Sequence, residues 1–225
     1  MKYEIILFDA DDTLFDFQKT AEKCFLETSE ILGLPSEKEN YAVYKDINQY
    51  YWDLYAIGKI EKDKILTLRF IDYGNKIGYE FSPNRFAKIY ESKLSQTSIL
   101  YPETVSVLDF FKNQGARLFL ITNGTSHVQR GRIELSGIKD YFENIFISDE
   151  MKCSKPSKEY IQKVIDGIDG FKKSKALIVG DSQISDVQLA INSGIDVCFI
   201  NHSGCTPTLP VTYEIKNLKQ ILEIF

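Results

Sequence analysis

Residues 4–14 read EIILFDADDTL. Four consecutive apolar residues, Ile5 to Phe8, end in three carboxylates within four positions: Asp9, Asp11 and Asp12. A run that is apolar without alternation suits a strand covered on both faces. Acids crowded at its end need a reason, because two like charges ~4 Å apart repel by roughly 4 kcal/mol at an effective dielectric of about 20.

Four similar runs follow in the second half of the chain: RLFLITN (117–123), ENIFISD (143–149), KALIVGD (175–181) and DVCFIN (196–201). Helical patterns lie between them. TVSVLDFFKNQG (104–115) spaces Val105, Leu108 and Phe111 at helical intervals and stops at Gly115. SDVQLAINSG (185–194) does the same with Val187, Ala190 and Ile191, ending at Gly194. Strands alternating with helices predict an α/β fold, a three-layer Rossmann-like, doubly wound parallel sheet of five strands. Residues 16–95 break this rhythm. They hold no good apolar β run and are rich in Tyr, Lys and Glu at helical periodicity. The expected organisation is a core from 1–15 plus 96–225, with about four helices inserted over 16–95.

The remaining composition excludes more than it identifies. The chain has 225 residues, 44% apolar and 26% charged, with 27 Lys and Arg against 32 Asp and Glu, a formal net charge of -5. That disfavours a nucleic-acid backbone binder or a polybasic membrane anchor. No stretch approaches the roughly 18 apolar residues of a membrane span, and no signal peptide is recognisable. Cys24, Cys153, Cys198 and Cys205 are scattered, which suits reduced thiols in a cytoplasmic protein. With only His127 and His202, histidine-based metal or acid–base chemistry has little material. Four predicted strands end in polar residues: Asp9, Thr122-Asn123, Ser148-Asp149 and Gly180-Asp181. Open parallel sheets bind ligands at that end.

Taken together, DADDT (9–13), ITNG (121–124), SKP (154–156) and GDSQISD (180–186) resemble, in order and position, the four motifs of the haloacid dehalogenase-like hydrolase superfamily. The helical insert stands where that superfamily carries its cap. FDADDTLFDF (8–17) is similar to the opening of its pyrimidine 5′-nucleotidase branch. The resemblance implies a phosphomonoester hydrolase acting on a small-molecule phosphate ester, a nucleoside 5′-monophosphate, through an aspartyl-phosphate. In that scheme Asp9 is the nucleophile and Asp11 the acid and base. Thr122, with backbone N–H groups around Asn123 and Gly124, binds the phosphoryl oxygens, and Lys155 sets a positive charge against them. Asp9, the Asp11 carbonyl and Asp181 would hold Mg2+, and Asp186 would bind it too or orient its waters and Lys155.

Charge explains why such a site takes a cation. Asp9, Asp11, Asp181 and Asp186 against Lys155 leave three negative charges; a magnesium ion reduces them to one, and a proton on Asp11 removes the last. All-oxygen ligands with few histidines favour Mg2+ over zinc. Each motif alone has a plainer reading, as a turn, a surface loop or a helix cap; four coinciding in order do not. Asp12 stands where most of the superfamily has glycine, and aspartate tolerates a left-handed backbone better than most residues.

Several neighbours take the plain reading: Lys152, Arg130 and Arg132 as solvated surface charges, and His127 as a helix-start residue. Tyr50, Tyr51, Trp52 and Tyr55 would fill the insert's own core or stack a nucleobase. Phe15, Asp16 and Phe17 stand where the chain leaves for the insert and could line an entrance or act as a hinge. The rival functions are a phosphomutase with the same residues, a dehalogenase, which would not need Asp11, and a non-catalytic binding protein.

Overall fold

The computed structural model describes residues 2–225. Two compact units divide the chain, one from residues 1–17 and 99–225 and the other from residues 18–98.

In the first unit, six strands form one parallel sheet among the described residues: β1 (Ile5–Phe8), β2 (Arg117–Thr122), β3 (Asn144–Ile147), β4 (Ala176–Gly180), β5 (Asp196–Ile200) and β6 (Tyr213–Ile215). Their spatial order is β3-β2-β1-β4-β5-β6. β1 is central. The chain winds outward to β2 and β3 on one side, then returns to place β4 against the other edge of β1 in parallel register, Ile5 opposite Ala176 and Phe8 opposite Val179. The order therefore reverses between β1 and β4, where sheets of this kind open a crevice at their carboxyl ends.

Every side chain of β1 is buried, because both faces are covered. Ile6 and Phe8 pack on one side with Val107, Leu108 and Phe111 of helix α5 (Thr104–Asn113). Ile5 and Leu7 pack on the other with Tyr160, Ile161 and Val164 of α8 (Lys158–Asp166) and with Leu189 and Ala190 of α9 (Gln188–Ser193). Period-two alternation thus feeds two separate cores, which is why the run reads as continuously apolar. This unit also holds the α-helices α6 (Ser126–Ser136), the short α7 (Ser148–Met151) and the terminal α10 (Ile221–Ile224).

One expectation about this unit is corrected. There is a sixth strand, β6, only three residues long and carried at the sheet edge; so short a segment has no periodicity to read. Val105 and Ile191, which mark the helical spacing in the sequence, are exposed, and Val107 and Leu189 supply buried positions beside the rest of each stripe. Helical spacing identifies the stripe, and packing against the sheet decides which edge of it turns inward.

The second unit contains α1 (Phe17–Ile31, from Gln18 onward), α2 (Lys38–Ala56), α3 (Lys62–Ile77) and α4 (Pro83–Ser95). Its core is aromatic. Phe25 stacks on Tyr44 at 4.6 Å between ring centroids, and Tyr44 stacks on Phe70 at 5.2 Å, with Tyr73, Phe86 and Tyr90 around them. Tyr51 is buried with its hydroxyl donating to Asp72 at 2.6 Å, whereas Tyr50 is exposed. Among the described residues no helix is long and apolar enough to cross a membrane.

Candidate active site

β1 delivers Asp9 to the crevice. The Asp9 N–H donates to the Val179 carbonyl of β4 (2.8 Å), so the residue just past one strand is fixed by the next. The following turn closes on itself: Leu14 N–H and Phe15 N–H both donate to the Ala10 carbonyl, and Asp12 N–H donates to the Phe15 carbonyl. Asp12 takes a left-handed backbone, φ 56°. The conformation that glycine would serve is therefore adopted by an aspartate, one of the few side chains that tolerate it. The Asp12 carbonyl accepts from His202 Nε2 at 2.7 Å, and the imidazole stacks on Tyr101. Nothing in the sequence pattern marked His202 for this turn.

Lys155 lies at the centre of the cluster and is almost fully buried. Its ammonium has three donors and finds three acceptors: an Asp9 carboxylate oxygen, Asp186 Oδ1 (2.7 Å) and the Ile121 carbonyl (3.2 Å). Asn123 holds it from behind. The Asn123 Nδ2 donates to the Lys155 carbonyl and its Oδ1 accepts from the Lys155 N–H, both at 2.9 Å. The Asn123 side chain is thus a clamp on the lysine backbone. Thr122 ends β2, buried, with its hydroxyl oxygen accepting from Gly124 N–H (3.2 Å). Lys152 sits apart, in a left-handed turn ending α7.

Asp181 follows β4 directly, and Asp186 lies in a π-helical turn, Gln183–Val187, that runs into α9. Carboxylate oxygens of Asp9, Asp181 and Asp186 lie within 4.8 Å of one another. Asp186 is fully buried, and its oxygens accept from Lys155 and from Ser182 N–H (3.1 Å).

Burial pushes the Asp9 carboxyl up to about 7; the Lys155 charge opposes this and the Asp186 charge adds to it. Asp181 is also raised well above the usual carboxylate range, by burial first and then by the Asp9 and Asp186 charges. Lys155 moves up too: burial works to lower it, but the Asp186 and Asp9 carboxylates outweigh that. Burial is the first cause for both carboxyl groups, and the crowding of negative charge adds to it; a bound cation relieves that crowding.

Asp11 projects differently. Its Oδ2 accepts from Gln129 Nε2 at 2.6 Å, and its Oδ1 accepts from Arg132 Nη1. Arg132 is fully buried beneath the aromatic rings of Phe15 and Phe17. This corrects the expectation of a solvated surface charge. Arg130, two residues earlier, does lie at the surface, forked onto Glu150; His127 is exposed in the first turn of α6. Counting Arg132, the four carboxylates are offset by two cations and two negative charges remain. One divalent cation neutralises them, and the all-oxygen donor set fits a hard ion of that charge.

A glycine sets the geometry here. A Cβ on Gly180 would overlap the Asp186 carboxylate. Gly180→Ala is expected to displace Asp186, lowering stability by about 1–3 kcal/mol as overpacking does and reducing turnover with it. A thermal melt beside an activity assay checks this; an unchanged melt with full turnover would show that Asp186 has room to move.

The sequence profile of the haloacid dehalogenase-like hydrolases matches residues 6–200. The HAD-hydrolase YfnB of Bacillus subtilis is 31% identical over 99% of this chain and 95% of its own length. Its crystal structure, described as bound to magnesium, superposes with a TM-score of 0.93, covering 100% of this chain and 99% of that one. Two proteins named pyrimidine 5′-nucleotidases are each 29% identical over 99% of this chain: PynA of Streptococcus pneumoniae, over 95% of its length, and YjjG of Escherichia coli, over 99%.

Proposed function

The chain belongs to the haloacid dehalogenase-like hydrolase family, and from that premise we propose that it is a magnesium-dependent phosphatase. It hydrolyses phosphomonoesters through an aspartyl-phosphate on Asp9, with pyrimidine nucleoside 5′-monophosphates as substrates. By the same reading residues 18–98 are the family's cap. One observation carries the mechanism: a buried lysine bridges Asp9 and Asp186 beside a third carboxylate, at the carboxyl ends of β1, β2 and β4. The substrate class is supported by the two nucleotidase relatives.

Lys155 holds the Asp9 carboxylate in place and brings positive charge next to the incoming phosphoryl group. Thr122 and the backbone N–H groups around Asn123 and Gly124 orient its oxygens. An Asp9 oxygen attacks phosphorus as the bond to the ester oxygen breaks, and Asp11 gives that oxygen a proton. Water then attacks the acyl phosphate, Asp11 takes back a proton, and inorganic phosphate leaves with Asp9 restored. Asp9, Asp181 and the Asp11 carbonyl would hold Mg2+, with Asp186 holding Lys155 and the Asp181 loop. When bound, the ion supplies positive charge against the transferring phosphoryl oxygens.

The test is phosphate release from UMP, dUMP, dTMP, AMP, a hexose 6-phosphate and phosphoglycolate, with Mg2+ or with chelator. Chelation is expected to lower release by roughly 100-fold or more, the several kcal/mol a Lewis acid contributes, and added Mg2+ to restore it. Preference for the sugar or glycolate ester would overturn the substrate class and keep the mechanism. Release unaffected by chelation would overturn the metal's role.

A further inference from the structure

Asp11 is gripped by two side chains that belong to none of the four motifs. Gln129 and Arg132 sit three residues apart on α6, and both are buried, Gln129 at 1% exposure and Arg132 at 0%. Residues at that spacing share one helix face. Each takes a different oxygen of the same carboxyl group. One hydrogen bond would leave that group free to turn about its own axis; two, on separate oxygens, fix its plane as well as its position.

Both anchors are themselves anchored. The Arg132 guanidinium lies 4.6 Å from the Phe15 ring centroid and 5.2 Å from that of Phe17. The Gln129 side chain fills the space that a Cβ on Gly124 would occupy, so the missing side chain at Gly124 is what lets it reach Asp11. The arrangement is costly. Among the described residues, Arg132 Nε, Arg132 Nη2 and Gln129 Oε1 are buried without a hydrogen-bond partner. Buried polar atoms are normally satisfied, and apolar side chains on this helix face would avoid the loss. Stability alone therefore does not account for this pair.

We propose that Gln129 and Arg132 are positioning residues for Asp11, holding its carboxyl group where it exchanges a proton with the leaving oxygen. This rests on the reading of Asp11 as acid and base. A carboxylate oxygen has two acceptor sites. Gln129 occupies one on Oδ2, and the other stays available to carry the proton. When the ester P–O bond breaks and the Asp9–phosphorus bond forms, that proton passes to the departing oxygen; a proton of the attacking water replaces it.

The consequence is a dependence on the leaving group. An alkoxide such as a nucleoside 5′-oxygen needs the proton, whereas p-nitrophenolate leaves without it. The value of kcat/KM reports events up to the first irreversible step, so it isolates this departure. For Gln129→Met, kcat/KM on dTMP is expected to fall about 10- to 100-fold, within the range of general acid catalysis, while on p-nitrophenyl phosphate it falls by no more than about threefold. Arg132→Met is expected to show the same asymmetry more strongly, with Arg132→Lys recovering part of it. In an Asp11→Asn background, Gln129→Met is expected to add no further loss, because the two act as one unit.

Equal losses on both esters, or full additivity with Asp11→Asn, would overturn the positioning role. Should Arg132→Met fail to fold, Gln129→Met and Arg132→Lys still decide it. The underlying phosphatase reading is tested separately by Asp9→Asn on p-nitrophenyl phosphate: undiminished release there would overturn that reading before the ratio is considered.

Discussion

Asp9→Asn is expected to abolish phosphate release, by about 10⁴-fold or more, as removal of a covalent nucleophile does. An amide oxygen is too weak a nucleophile to form the acyl phosphate, and without it both displacements are lost together. The fold is expected to persist. Lys155 keeps Asp186 and the Ile121 carbonyl as partners, and the substitution removes a carboxyl group that burial and the Asp186 charge make costly to ionise. Paired measurements decide it: phosphate release from dTMP with Mg2+ present, and a thermal melt. A folded variant that retains more than about one-hundredth of wild-type turnover would remove Asp9 from the nucleophile's role. A variant that melts far below wild type would show that Asp9 is needed chiefly to satisfy Lys155.

Lys155→Met is expected to damage stability and activity together. Methionine keeps most of the stem's volume but removes the ammonium that Asp9 and Asp186 share. Removing one partner of a buried ion pair strands the other, at about 3–5 kcal/mol. For a chain of this size each kcal/mol moves the melting temperature by about 2–4 °C, so a fall of about 6–20 °C is expected, with turnover lost. Magnesium is expected to raise the melting temperature more in this variant than in the wild type, because an added cation offsets the charge that methionine does not. A melting temperature unchanged by Lys155→Met would mean that the carboxylates take up protons in place of the missing charge. An equal magnesium response in both proteins would separate the ion's site from the lysine's.

Much of this could be read along the chain, for physical reasons that are local. A parallel strand covered on both faces must be apolar at every position, so β1, β2 and β4 are legible as runs. Residues at or just past the ends of such runs must lie at the carboxyl edge of the sheet, which is why Asp9, Thr122 and Asp181 could be assigned to one crevice before any coordinates. The aromatic insert was legible in the same way, as helical periodicity without β runs, but its core is built by Phe25, Tyr44, Phe70 and Phe86, and of Tyr50, Tyr51, Trp52 and Tyr55 only Tyr51 is buried.

What tertiary structure decided is the identity of partners across long separations. Arg132 is 121 residues from Asp11 and follows a surface arginine by two. A charged residue on an amphipathic helix is solvated by default, and only the packing of α6 over Phe15 and Phe17 encloses this one. The Asn123 clamp on the Lys155 backbone spans 32 residues, and its motif reads as a turn until β2 and the Lys155 loop are placed together. The same applies to charge. Along the chain the site carries three uncompensated negative charges; in the fold Arg132 reduces them to two, the charge of one divalent cation. Local periodicity and strand-end position are properties of neighbouring residues and survive in a string of letters. Which buried cation meets which carboxylate depends on how helices close over the sheet, and that exists only once the chain has folded.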